Sequence, residues 1–171
     1  MPSYVEEYAA RLESAGLLAA GRRAGCMPEE IEEIRRAQAV PRLPERYRDF
    51  LAVLGREPRL MPGSDWTYQD LLTLKGDAEE LVTGDGVDTG FLKGAVVLQM
   101  HQGYQFFFIP ADNLEEDDPP VWTYSEGEGG PRPAFRSFSA LLDYAARELS
   151  TVRDVNEELR ANPNVSLESY E

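Results

Sequence analysis

The residue types best suited to chemistry are scarce in this sequence, and histidine and cysteine each occur only once. His101 is the only histidine and Cys26 the only cysteine among 171 residues. A single histidine cannot build a multi-histidine metal site or a histidine-paired relay, so we expect His101 to cap a hairpin turn. Cys26 precedes a predicted helix, which would favour the thiolate, but it has no neighbouring histidine as a base. We therefore expect Cys26 to be a buried, inert thiol.

A run of four acidic residues, Glu115-Glu116-Asp117-Asp118, is the third place where chemistry could occur. It lacks the alternating spacing and the central glycine of a calcium loop, so we interpret it as a solvated acidic loop that can face a basic partner. No glycine-rich phosphate-binding motif occurs in the sequence. A hydrolytic carboxylate pair stays open as an alternative, because with thirty-one acidic residues some pair is always available.

The composition restricts the class of partner. Thirty-one acidic residues against seventeen basic ones give a formal charge of -14, which would repel both a nucleic acid backbone and an anionic membrane. The same charge would attract a basic protein, or it could serve solubility alone. The acidic N-terminus is unlike a signal peptide, no apolar run is long enough to span a membrane, and no internal disulfide is possible. We expect a cytoplasmic protein without cofactors or metals.

The helical patterns lie at the two ends of the chain. Ser3 and Glu6 have the spacing of a capping box and predict a helix over residues 3–14. Proline at a first helical position predicts a second helix over 28–39. An apolar stripe at helical spacing then predicts a third helix, which begins at Leu43-Pro44 and is closed by Gly55. The stripe consists of Tyr47, Phe50, Leu51 and Leu54. A long final helix with Ser137 or Ser139 as its cap ends near Arg160.

The centre of the chain predicts strands. The apolar runs 95–100 and 104–109 are separated by a short glycine-containing turn and predict an antiparallel hairpin that is covered on both faces. A third strand is predicted over 121–124, and 126–131 is predicted to be a loop or turn. Between the helices and the hairpin, the stretch 66–86 is leucine-rich, and Gly76 weakens a helix there without forbidding it.

Four features in this order resemble the SUKH superfamily, also described as Smi/Knr-type domains. They are the acidic-apolar helix Glu30-Ile31-Glu32-Glu33-Ile34, the helix Leu43-Pro44-Glu45-Arg46-Tyr47-Arg48-Asp49-Phe50-Leu51, the hairpin glycine Gly103, and Ser137-Phe138-Ser139-Ala140-Leu141-Leu142 at the final helix. The resemblance spans residues 26–150. Leu54-Gly55 departs from the family pattern, in which a polar residue often precedes this glycine, and the stretch 66–86 is longer and more helical than in compact members.

The resemblance implies an α+β fold, with a mixed or antiparallel sheet and with N-terminal helices and a C-terminal helix packed on it. We expect one domain over residues 1–160 and a loose tail over 161–171. The family resemblance further implies a non-enzymatic bacterial immunity protein that binds and neutralises a cognate toxin. The alternatives are a regulatory or scaffold domain, an orphan without a toxin partner, and a hydrolase that uses a carboxylate pair.

We expect the partner to be a protein, in particular a basic toxin domain, and not a nucleic acid or a membrane. Acidic side chains would attract it, and large aromatic side chains would anchor it, since tryptophan and tyrosine are enriched at interface hot spots. The residues predicted to contact the partner are Glu115, Glu116, Asp117, Asp118, Glu126, Glu128, Trp66 and Trp122.

Overall fold

The computed structural model describes residues 1–162, in which an antiparallel sheet is preceded, interrupted and followed by helices. The helices are α1 (Tyr4–Ser14), α2 (Pro28–Ala37), α3 (Glu45–Leu54), α4 (Tyr68–Leu71), α5 (Leu74–Gly84) and α6 (Phe138–Ala161). The strands are β1 (Ser64–Asp65), β2 (Val96–His101), β3 (Gln105–Ile109), β4 (Val121–Ser125) and β5 (Arg132–Phe135). They lie in chain order, β1-β2-β3-β4-β5, and each pairs antiparallel with the next. The predicted α+β class is confirmed.

The N-terminal helices begin where their capping signals predict. Ser3 and Glu6 form the capping box of α1, and Pro28 is the first residue of α2. α2 ends at Ala37, two residues before the predicted end, because Ala39 has a left-handed φ of 53° that no helix accommodates. The predicted stripe of α3 is fully buried, and Gly55 follows it as the C-cap.

An aromatic cluster joins the helices to the start of the sheet. The Phe50 ring lies 5.4 Å from Phe138 and 5.3 Å from Trp66, measured between ring centroids, and Tyr47 packs edge-on against Phe138 at 5.4 Å. These distances are typical of favourable aromatic pairs. The cluster fixes α3 against the start of α6 and against the chain between β1 and α4.

The predicted hairpin is formed by β2 and β3. Its turn, residues 102–104, places Gln102 at φ 48° and Gly103 at φ 78°, and Tyr104 N–H donates to His101 C=O at 3.1 Å. His101 thus ends β2 at the turn, as predicted. The short strands β1 and β5 were not predicted from the sequence. β1 pairs with the end of β2, and β5 pairs with β4 directly after the predicted loop 126–131.

The final helix α6 is capped by Ser137, whose Oγ accepts from Ala140 N–H at 3.1 Å. The helix ends at Ala161, so the predicted tail over 161–171 lies outside the described residues except for 161–162. In the stretch 66–86, α4 and α5 are both helical, and α5 contains Gly76. Among residues 1–162 none of the helices combines the length and the apolar character needed to cross a bilayer.

Candidate functional site

A groove of about 520 Å³ lies on one face of the sheet, beside α6. A row of cross-strand neighbours runs along it: Gln99 pairs with Phe107, Phe107 with Thr123, and Thr123 with Arg132. Residues directly opposite each other on paired strands project from the same face. Side chains from four strands therefore line one surface of this groove.

The walls of the groove are rich in aromatic and apolar side chains. They come from the loop before β1, the hairpin turn, β5 and α6, and include Met61, Tyr104, Phe135, Tyr144 and Val152. The Phe135 ring lies 5.4 Å from the Phe107 ring and 5.3 Å from the Tyr144 ring, so aromatic rings connect the row to α6.

Two of the wall residues are unusually exposed. Tyr104 and Val152 each have 42% of their surface accessible. Among residues 1–162, only two other large hydrophobic side chains are exposed to this degree or more, Met1 and Met27. Exposed hydrophobic side chains that share a groove are typical of a protein-binding surface, whereas single ones need no explanation.

Gln99 stands out among the polar residues of the groove. Its side chain is 1% exposed, yet neither Oε1 nor Nε2 has a hydrogen-bond partner among residues 1–162. The neighbouring Thr123 is satisfied, because its Oγ1 donates to Phe106 C=O at 3.1 Å and lies 3.4 Å from Gln105 Nε2. His101 is also paired, with Nδ1 3.0 Å from Ser64 Oγ.

Two charged side chains, Arg132 and Glu148, line this groove. Arg132 is paired with Glu128 at 3.0 Å, and Glu148 projects from α6. Besides Arg132, the polar side chains that the strands contribute are Ser64, Gln99, His101, Gln105 and Thr123, and none of them carries a fixed charge. The part of the groove formed by β2, β3 and β4 is therefore suited to hydrogen bonding and not to ion pairing.

A second groove, of about 570 Å³, lies beside the tip of the hairpin and is acidic. Its carboxylates are Asp65, Asp77, Glu80, Asp85 and Glu126. Burial, together with the charges of Asp70 and Asp77, raises the pKa of Asp65. By contrast, the pKa of Asp85 is lowered, because its carboxylate accepts hydrogen bonds from the Tyr124 hydroxyl at 2.5 Å and from Gly127 N–H at 3.0 Å.

The predicted acidic loop lies beside the helical layer, and most of its side chains have partners within the fold. Glu115 pairs with Arg42, and Glu116 accepts from Asn113 Nδ2 at 2.7 Å. The carboxylate of Asp118 accepts from Ser139 N–H at 2.9 Å in the first turn of α6. The side chain of Asp117 is exposed, while its carbonyl accepts from Arg46 N–H.

The remaining predicted contact residues are dispersed. Glu126 lines the acidic groove. Glu128 pairs with Arg132, which lines the groove beside α6. Trp122 is half-buried in a third depression. Trp66 is 2% exposed within the aromatic cluster, so it belongs to the core. The eight predicted residues do not form one patch.

The groove beside α6 was not predicted from the sequence. One signal for it is present, since Gln99 is the only polar residue in the apolar run 95–100. An amide in a strand that is otherwise buried requires a partner, and a missing partner marks a position of interest. The other lining residues come from separate segments that only the fold brings together.

Cys26 is buried, in agreement with the prediction, and burial together with the charge of Glu30 raises its pKa to about 11. A thiol with such a pKa is poorly nucleophilic at neutral pH. Across residues 1–162, histidine, cysteine and acidic side chains form no group of three or more that could hold a metal ion.

Comparison with protein families found a match over most of the chain. The family model described as the SMI1 / KNR4 family (SUKH-1) matches residues 25–144, which is more than half of the chain and includes β1 to β5 and the first turns of α6. Comparison with curated proteins found no match.

Proposed function

We propose, because this chain belongs to the SMI1 / KNR4 family (SUKH-1), that it acts by binding another protein and not by catalysis. The family is in general immunity-like and protein-binding. We propose further that the partner is a basic bacterial toxin domain, which this chain neutralises in the cytoplasm by covering its active surface. The observation that carries the proposal is the groove beside α6, in which exposed hydrophobic side chains flank a buried, unpaired amide.

The groove has the chemical character of an interface core. Tyrosine is enriched among residues that dominate binding energy, and Tyr104 is exposed at the mouth of the groove. The aromatic wall formed by Phe107, Phe135 and Tyr144 offers a preformed apolar surface. A partner loop that covers Tyr104 and Val152 would remove both from water, which is favourable in proportion to the apolar area buried.

The charge of the chain supports a basic partner. A formal charge of -14 creates a long-range attraction that speeds the encounter, while the contacts in the groove determine how long the complex lasts. The acidic groove at the hairpin tip, which contains Glu126, lies close to Tyr104, because Glu126 N–H donates to Tyr104 C=O at 2.8 Å. The acidic groove that would attract a basic partner is thus adjacent to the groove that would hold it. We retain Glu115, Glu116, Asp117, Glu128 and Trp122 as candidate peripheral contacts.

A hydrolase that uses a carboxylate pair is less well supported. The acidic groove holds one carboxyl with a raised pKa, Asp65, but the pKa of Asp85 is lowered by two hydrogen bonds that join α5 to β4 and the following turn. A carboxylate engaged in this way is suited to a structural role. His101, the only histidine, is paired with Ser64 at the end of β2.

The proposal is tested by capturing partners with the tagged chain from its native host at low and at high salt, followed by mass spectrometry. We expect a stoichiometric basic toxin domain that is retained at low salt and lost at high salt, because salt screens exposed charges. The purified domain should then lose its toxic activity when the chain is added in equal amount. A specific partner without toxic activity would favour a regulatory or scaffold role, and the absence of any partner at either salt would contradict the proposal.

A further inference from the structure

We propose that the groove beside α6 binds an uncharged carboxamide side chain, asparagine or glutamine, on a loop of the partner protein. The side-chain amide of Gln99 forms the hydrogen bonds that select it. This inference rests on the proposed protein-binding function and specifies the chemistry of its anchor.

The unpaired amide of Gln99 is the first observation. An amide buried to 1% exposure, with both polar atoms unbonded among residues 1–162, is costly to the free protein, because a buried polar group without a hydrogen bond loses its hydration without compensation. The group that satisfies both atoms together must offer one acceptor and one donor in a plane. A carboxamide has this arrangement.

A second buried glutamine shows an amide that is satisfied at both ends, in this case by backbone groups. Gln38 is 0% exposed, and its amide bonds the peptide group of Val97 through both ends, with Oε1 accepting at 3.0 Å and Nε2 donating at 3.1 Å. Gln99 lies two residues further along the same strand. Residues 1–162 therefore contain one buried glutamine amide with internal partners and one, that of Gln99, whose two polar atoms have none.

The lining next to Gln99 disfavours a charged side chain as its partner. The direct neighbour of Gln99 in the cross-strand row is Phe107, and Thr123 lies beyond it on β4, so the row next to Gln99 offers an aromatic ring and a hydroxyl. A lysine or glutamate placed there would be buried without a counter-charge, at a cost that an amide does not incur. Because Gln99 is almost fully covered, a side chain that projects into the groove reaches it more readily than the backbone of a segment lying across the mouth.

The test uses three small probes of similar shape: the N-acetyl methylamides of glutamine, glutamate and methionine. Each is titrated into the nitrogen-15-labelled protein while the backbone and side-chain amide signals are followed by NMR. The signal of the Gln99 side chain is assigned by its loss in Gln99→Met. Gln69→Met, at an exposed position on α4, is the matched control variant.

We expect the glutamine probe to shift the side-chain signal of Gln99 and the backbone signals of Phe107 and Thr123. It should bind about tenfold more tightly than either other probe, since methionine offers no strong hydrogen bond and glutamate offers an acceptor without a donor and carries a charge. Gln99→Met should remove this preference, and Gln69→Met should retain it. Gln99→Met should also raise the urea midpoint of the free protein, because it removes the unpaired amide without changing the volume much.

Equal affinity for the three probes, shifts confined to another surface, or no shifts would overturn the inference. So would a lowered urea midpoint for Gln99→Met, which would indicate that the amide serves the fold. These outcomes concern the free protein only. They leave the capture of a protein partner, on which the proposed function depends, as a separate question.

Discussion

The side chain of Gln38 and the backbone of Val97 are joined by two hydrogen bonds, at 3.0 and 3.1 Å. Gln38 follows the last residue of α2, and Val97 lies in β2 where the register with β3 shifts between Val97 and Gln99. The same Gln38 amide also donates to Leu71 C=O in α4 at 3.2 Å. One side chain thereby fixes α2, α4 and the part of β2 that carries Gln99.

Gln38→Leu should lower the free energy of unfolding by about 2–4 kcal/mol, because it leaves buried backbone groups of Val97 and Leu71 without partners. The measurement is urea unfolding followed by circular dichroism. Gln69→Leu, at an exposed position, should change stability by less than about 0.5 kcal/mol. Equal effects of the two substitutions would show that the Gln38 bonds contribute little.

Asp118→Ala should destabilise the protein by about 1 kcal/mol, because Asp118 accepts the hydrogen bond of Ser139 N–H in the first turn of α6. Its neighbour Asp117 has an exposed side chain, so Asp117→Ala removes the same charge as a matched control. Thermal unfolding of the two variants compares them directly. A melting temperature lowered equally in both would assign the effect to charge and not to capping.

The bonds from Tyr124 and Gly127 lower the pKa of Asp85, so folding is favoured by the ionised carboxylate. This contribution is present above the unfolded pKa of about 3.9 and is lost as the pH falls through the lower, folded pKa. We expect Asp85→Asn to be less stable than the unmodified chain at neutral pH and the difference to shrink in acid. Urea midpoints over a pH series measure it. A difference that is constant down to the acid limit would contradict the linkage.

The hairpin turn offers a stabilising substitution. Gln102 has a left-handed φ of 48°, which asparagine adopts more readily than glutamine, and Asn-Gly is a preferred pair where two successive turn residues both have positive φ. Gln102→Asn should therefore raise the free energy of unfolding by about 0.5 kcal/mol. Gly103→Ala, at φ 78°, should lower it by about 1 kcal/mol. A destabilising effect of Gln102→Asn would mean that the glutamine side chain contributes to the turn.

The sequence predicted the elements whose signals are local. The capping box at Ser3, the proline at the start of α2, the apolar stripe of α3 and the hairpin around Gly103 each occupy a few consecutive residues. β5 was missed because Arg132-Pro133 carries a charge and a proline, and its extended form depends on pairing with β4. β1 has two residues and exists only through its pairing with β2.

The candidate site was less predictable, because its residues meet only in the folded chain. The acidic residues 115–118 were predicted to contact a partner because they are consecutive in the sequence. Three of them are instead paired within the fold, with Arg42, Asn113 and Ser139. Trp66 was predicted to be an interface anchor because of its residue type. It packs instead against the Phe50 ring and is part of the core.

The most direct test of groove-mediated protein binding is the affinity of the captured, purified partner domain for Tyr104→Arg and for Met27→Arg, measured by isothermal titration calorimetry. Both positions are exposed hydrophobic side chains, at 42% and 59%, and both substitutions add the same charge, but only Tyr104 lines the groove. We predict that Tyr104→Arg weakens binding by at least about tenfold while Met27→Arg binds like the unmodified chain. Unchanged affinity for Tyr104→Arg would contradict the account.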